Sequence, residues 1–218
     1  MKNFLFILLC ILPNLSYAKE SCTFNWNISS KGIFVGQSSD RIDFKQDGIQ
    51  VTSTFNPSSF LSLFGVNKLN RIVRFDTTNN MVFRSEEKFG EKNEKTIWNK
   101  ISDNNWSKIY NEDKPENFII DANQIIDSTT LPYLAQFNII DIDKNRHNVR
   151  VLTKGKTYDA ILFSEVVESK KEDQIKVFFK SENHYGEVIL NKKKQPIKLF
   201  VKDKNNAFSG ELKSNSCD

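Results

Sequence analysis

This chain of 218 residues is poor in histidine, glycine, proline and methionine, with 2, 8, 5 and 2 of them respectively. The two histidines, His147 and His184, fit no metal-ligand spacing and stand beside no plausible nucleophile. No Gly-x-Ser-x-Gly elbow is present either, so catalytic and metal-binding residues are both expected to be none. Asp141-Ile142-Asp143-Lys144-Asn145 begins like a calcium loop, but Arg146 stands where glycine is needed and Leu152 where a bidentate Glu is needed. Eight glycines form no phosphate-cradling loop, and no cofactor is expected. An excess of one charge is also missing. The 31 Lys and Arg against 27 Asp and Glu give a net charge of +4, and the two signs alternate along the chain. A nucleic-acid binder concentrates its basic residues on one face, so nucleic acid is not an expected partner.

Long apolar runs are confined to the start. Met1-Lys2-Asn3, the run Phe4 to Leu12 and the small residues Ser16 and Ala18 read as a secretory signal peptide over residues 1–18, cleaved near Ala18. No later segment approaches the ~20 apolar residues that a membrane-spanning helix needs. The expected product is one periplasmic domain over residues 19–218, with no transmembrane segment. Its length is 218 − 18 = 200 residues and its charge (31 − 1) − 27 = +3. Only three cysteines occur, and Cys10 lies in the segment expected to be removed. Cys22 and Cys217 remain, and in an oxidising compartment they are a disulfide candidate. Neither sits in a lipobox.

What the chain does contain is strand after strand, with turn signals every 8 to 12 residues or so. Residues 33–45 alternate apolar and polar, Gln46-Asp47-Gly48 supplies a turn, and residues 49–55 return. Further strands are expected over 71–76, 81–89, 96–101 and 106–110, as a meander. A second series covers 148–153, 158–167, 174–181, 185–190, 197–202 and 207–213. Ile175, Val177 and Phe179 share a face opposite Lys176 and Lys180. Ile197, Leu199 and Val201 repeat the pattern against Lys198 and Lys202, giving one packed and one wet face. Residues 158–167 are apolar on both faces, as in a covered central strand or one lining a cavity.

Two segments break the strand rhythm. Residues 57–65 run from Pro57 to Gly65 and predict a short helix. Asp127-Ser128-Thr129-Thr130 offers caps before a second helix whose one face holds Leu131, Leu134, Ala135 and Asn138. The fold class is therefore mainly β: a curved antiparallel sheet or open β-barrel with one or two short helices over one end.

In the order of its features the chain resembles the exported bacterial family of unknown function DUF3108. The resemblance rests on Ser30-Lys31-Gly32-Ile33-Phe34-Val35-Gly36, on Ser53 followed by the small helical insertion, and on the segment 127–137. It extends to the hairpin from Gly186-Glu187-Val188-Ile189-Leu190 to Gln195-Pro196-Ile197-Lys198-Leu199. It implies a periplasmic β-rich fold and brings no catalytic residues. At the level of fold the chain is also similar to the half-open barrels of the lipoprotein carriers LolA and LolB, which hold acyl chains against a curved sheet.

The expected function follows from location and aromatic content. Trp26, Trp98 and Trp106, with many phenylalanines, supply apolar surface for a core or a ligand cavity. Phe55, Phe60, Leu61, Phe64, Leu131, Leu134, Phe137, Leu162 and Phe179 are the residues expected around such a cavity. The expected ligand is a lipid or lipid-like envelope component. The alternative is an assembly factor that docks an envelope protein through a sheet edge or through the basic hairpin at Lys192-Lys193-Lys194. Glu86, Glu87, Glu165 and Glu168 are the carboxylates a glycosidase would draw on, and this enzymatic reading ranks last.

Overall fold

The computed structural model describes residues 21–63, 67–76, 81–89, 94–102, 104–111, 113–120, 125–127, 129–137, 146–153, 156–167, 174–204 and 206–217. The expected signal peptide with Cys10, and also Phe64, Ser128, the calcium-like turn and Glu168, lie outside these residues.

Among the described residues fifteen strands form one sheet: β1 Ser21–Ser30, β2 Ile33–Lys45, β3 Gly48–Pro57, β4 Leu69–Asp76, β5 Met81–Phe89, β6 Glu94–Lys100, β7 Asn105–Tyr110, β8 Glu116–Ile119, β9 Ile125–Asp127, β10 His147–Thr153, β11 Lys156–Val167, β12 Gln174–Lys180, β13 Tyr185–Leu190, β14 Pro196–Lys202 and β15 Ala207–Cys217. Helix α1, Ser59–Leu63, follows β3, and helix α2, Leu131–Gln136, follows β9. From β1 to β8 each strand pairs antiparallel with the next, as does each from β10 to β15. β9 pairs parallel with β10. β1 pairs with β15, so the first and last strands lie side by side in the middle of the sheet.

The expected strands are present with small shifts at their ends, and β1, β8 and β9 are additions to that reading. β9 has three residues and β8 four, too few for alternation to register. The first hairpin turns where expected, and Gly48 adopts φ +147°. A Cβ there would lie 2.1 Å from the Phe75 carbonyl oxygen, so both the conformation and the close approach require glycine.

The sheet curls until β9 stands beside β5, with no backbone pairing between them among the described residues. Ile125, Ile126 and Asp127 point alternately to the two faces of β9, and all are at most 1% exposed. Trp98 of β6 and Trp106 of β7 belong to the same core as Ile125 and Ile126. The strands past β5 thus lap over β9, and the sheet is not closed into a barrel.

α2 lies inside the curl, with Leu131, Pro132, Tyr133, Leu134 and Ala135 all buried. Two cores meet at it. Leu131 and Leu134 join Val151, Leu162, Phe179 and their neighbours, while Tyr133 joins Phe24, Trp26, Ile42 and Val51. Pro132 is tolerated in the first turn, where its missing N–H has no helical acceptor. The N-cap is Thr130, but its side chain makes no capping bond and donates instead to the Asp127 carbonyl at 2.8 Å. The expected wet face of β12–β14 is wet only in part. Phe178 points outward and is nonetheless buried, because Phe163, Tyr185 and Phe200 cover the same outer face.

Cys22 and Cys217 face each other across the β1–β15 pair and form a disulfide over a sequence separation of 195. Closing a loop of that size is worth roughly 5 kcal/mol in the chain-entropy model.

Candidate functional site

The candidate site is the concave face of the curl, and α2 divides it. Two buried polar groups anchor the helix, one toward each core.

Asp127, at the end of β9, is fully buried. Its Oδ2 accepts from Arg71 Nη2 at 2.6 Å and from Ser85 Oγ at 3.0 Å. Its Oδ1 accepts from the Thr129 backbone N–H at 2.9 Å and from Thr129 Oγ1 at 2.7 Å. Arg71 Nη1 lies 3.3 Å from Glu87 Oε2. The end strand β9 is therefore tied to the paired strands β4 and β5 by a cation and two carboxylates, in place of a backbone ladder. Asp127 also shapes the turn that starts α2, as an Asx turn does.

The second anchor carries no cation among the described residues. Trp26 Nε1 donates to Tyr133 Oη at 3.1 Å, and the Tyr133 hydroxyl donates to Asp40 Oδ2. Ser38 Oγ donates to Asp40 Oδ1 at 3.3 Å. Burial raises the Asp40 carboxyl above its ordinary range, and the hydrogen bonds from Tyr133, Ser53, Ser38 and Trp26 only partly oppose this. Burial also pushes the Tyr133 phenol well above its ordinary value, and the Asp40 carboxylate adds to the effect.

Above α2 the concave face opens. Ile33, Ser30, Phe208, Val201, Gly186, Phe179 and Leu162 form one cross-strand row running from β2 to β11, and so share the inner face. Exposure changes along that row. Leu162 is 0% and Phe179 1% exposed, whereas Val201 is 42%, Phe208 43% and Ile33 69%. The inner surface is thus packed at β11–β12 and open at β14, β15, β1 and β2, which form an apolar mouth. Phe55 and Leu69 pair across β3 and β4 on the inner face and are half-buried. Phe55 packs where a Cβ on Gly36 would stand, since its ring lies 2.9 Å from that position.

The residues expected around a cavity divide accordingly. Leu131, Leu134, Leu162 and Phe179 come together in one buried core. Phe137 is half-buried against the other core, with its ring edge-on to Phe44 at 4.9 Å. Phe55 is on the inner face, Phe60 and Leu61 are carried by α1, and Phe64 lies outside the described residues. Val201 and Phe208 were not singled out. The alternation of Ile197, Leu199 and Val201 placed Val201 on the packed face, but the uncovered end of that face depends on strands far away in sequence. Asp40 was missed as well, although it sits in register with Ile42 and Phe44 on an inward face.

Other chemistry is sparse. Glu86 is held by Arg84 at 3.1 Å and Lys95 at 2.9 Å, and Glu87, the next residue, points to the opposite face toward Arg71. Glu165 is exposed. His184 stacks on Tyr158 with ring centroids 4.1 Å apart. Among the described residues no group of three or more His, Cys, Asp and Glu is placed to hold a metal ion. No described helix is long and apolar enough to cross a membrane. An open groove of about 760 Å³ on the outer side of β10–β12 is lined by Arg146, Asn148, Asp159, Ile161, Phe163 and Lys180.

No protein-family model matches the sequence, and no curated protein matches it. Among solved structures, PNGF-II aligns over 92% of this chain and 28% of its own, at 9% identity and a TM-score of 0.31. A β-barrel-like protein of the domain of unknown function DUF1849, from Brucella abortus, aligns over 92% of this chain and all of its own, at 6% identity and a TM-score of 0.58. The chain is thus similar in fold to a β-barrel-like protein of unknown function.

Proposed function

We propose that this protein is a non-enzymatic, exported periplasmic binding protein that takes an apolar or amphipathic component of the cell envelope into the open mouth of its curled sheet. The observation that carries this reading is the gradient of exposure along one inner row, from Leu162 and Phe179 at 0% and 1% to Val201 and Phe208 at 42% and 43%. Soluble monomers seldom leave inward-facing large apolar side chains uncovered in one contiguous patch without a use for it. α2 blocks the deep interior, so the ligand's apolar part lies between α2 and the rim, against Phe55, Leu69, Val201 and Phe208. The disulfide between Cys22 and Cys217 suits an oxidising compartment.

Native mass spectrometry and lipid extraction of protein purified from its own envelope test the reading. The expected result is a bound amphiphile that Val201→Asp with Phe208→Ser removes while the thermal midpoint is retained. A wild-type protein with no bound amphiphile counts against it.

A second reading, an assembly factor, draws on the β8 edge, where all four residues are exposed and Ile119 is 81% exposed. An unpaired strand edge is a template for strand addition by a partner. Crosslinking in the envelope that captures a defined protein partner through β8, with no amphiphile bound, would favour it.

A further inference from the structure

Three connections at one end of the sheet build the rim beyond the mouth, and the β12–β13 turn with Lys180 and Glu182 lies at that end beside them. The β1–β2 hairpin turns through Lys31 and Gly32, both at positive φ, and puts Ile33 and Phe34 at its tip. α1 is tied beside that tip by the Ser58 N–H, which donates to the Val35 carbonyl at 2.9 Å. The β14–β15 hairpin arrives alongside, because Phe208 pairs with both Ser30 and Val201. Ile33 is 69% exposed, Phe34 48%, Phe60 66% and Leu63 84%. Phe34, Phe60 and Leu63 project from the end of the fold outside the mouth, and Ile33 stands at the edge of the mouth.

Two further observations say what covers them. Segments 28–35, 57–69 and 200–208 contain Lys31, Lys68, Lys202 and Lys204 against Asp203 alone, a net charge of 4 − 1 = +3. Asp203 Oδ1 accepts from the Asn206 backbone N–H within its own turn. The connections that carry the apolar tip therefore hold more cations than anions. On the outer wall, Phe34 of the tip continues in a single cross-strand row through Phe200, the buried Phe178 and Phe163. Phe163 and Phe178 pack edge to face at 3.6 Å, and Tyr185 lies 6.0 Å from Phe200. An apolar tip, flanking lysines and an aromatic border, here Tyr185 with the half-buried Phe163 and Phe200, are elements that seat a protein in a bilayer interface. The tip enters the acyl boundary, the lysines meet anionic headgroups and the tyrosine sits at headgroup level.

We infer that this rim docks the protein on an anionic lipid surface, with Ile33, Phe34, Phe60 and Leu63 entering the headgroup layer and Lys31, Lys202 and Lys204 pairing with lipid phosphates. Docked this way, the mouth opens onto the bilayer. The inference stands on the rim and does not require that the mouth hold a ligand.

Chains beginning at Lys19 contain every described strand and both paired cysteines, and sedimentation with vesicles tests the docking. The wild-type chain is expected to pellet with phosphatidylcholine vesicles containing phosphatidylglycerol, and less at high salt. Phe60→Glu with Leu63→Glu should lower the partition coefficient about tenfold or more. Lys31→Glu with Lys204→Glu should lower it about tenfold on anionic vesicles and leave neutral ones unchanged. All four positions are exposed, so thermal midpoints should match the wild type. A wild-type chain that stays in the supernatant overturns the inference, as does binding that ignores both variant pairs. So does a dimer that Phe60→Glu with Leu63→Glu abolishes in the absence of vesicle binding, since it would give the rim to a second copy. Vesicle binding by a protein whose extracts contain no amphiphile would sustain the docking and remove the proposed ligand function.

Discussion

The two anchors of α2 place the same chemical group in opposite electrostatic settings. Asp127 is buried with a guanidinium 2.6 Å away and four hydrogen-bond donors on its two oxygens. Asp40 is buried among neutral donors only, and burial dominates its ionisation. A buried carboxylate costs stability unless it is paired. The Asp127 cluster ties the end strand β9 to β4 and β5, to which no backbone ladder joins it among the described residues, so its charges replace structure. The Asp40 cluster sits on strands already paired on both sides, so its carboxyl supplies a hydrogen-bond acceptor that does not need its charge.

The largest break in this comparison should come from Asp127→Ala. It leaves Arg71 buried beside Glu87 alone and dissolves the turn before α2, and urea unfolding should show a loss of about 3–5 kcal/mol. Tyr133→Phe should cost less, about 1–3 kcal/mol in the same assay, because Asp40 and Trp26 each lose a buried partner. Asp40→Asn keeps the acceptor and removes the charge, so its effect at pH 8 should lie within about 1 kcal/mol of zero. If Asp40→Asn instead costs as much as Asp127→Ala, the contrast between the anchors is wrong.

The pH dependence sharpens the same point. The Asp40 carboxyl is raised in the folded state from an ordinary value of 3.8. The folded state therefore holds the proton more tightly than the unfolded state. The resulting stabilisation is fully present below pH ~3.8 and is lost as pH rises through the folded-state value. Wild-type stability minus that of Asp40→Asn should accordingly fall as pH is raised from about 4 toward neutrality, as read from urea midpoints across that range. A difference that stays flat with pH would mean that Asp40 titrates as it does in the unfolded chain.

Much of the fold was legible because strands state themselves locally. The alternation through Arg41-Ile42-Asp43-Phe44-Lys45 and the turn at Asp47-Gly48 locate β2 and β3 almost to the residue. The pairing of Cys22 with Cys217 was legible too, since few other cysteines were available. The overlap of the sheet ends was not. It depends on β9, three residues long, and on Asp127 meeting Arg71 across 56 positions of sequence. The outward aromatic row was missed for a related reason. Phe178 and Phe200 each look like an isolated apolar residue on a wet face, and Phe163 belongs to the second apolar face of residues 158–167, until the register aligns the three. Large apolar side chains mark a core as readily as a binding surface. Exposure, which separates the two, belongs to the assembled sheet.

The neighbouring placement of β1 and β15 has a consequence for how this chain comes to be folded. Any chain delivered from one end presents β1 with one of its two edges unsatisfied until the final eleven-residue strand arrives. Pairings this distant in sequence form slowly, and open strand edges in the meantime are where chains of this kind aggregate. The cystine then acts as a latch on the last step of assembly. The native register sets its two cysteines opposite each other, and once closed it keeps the central seam from being the first to part.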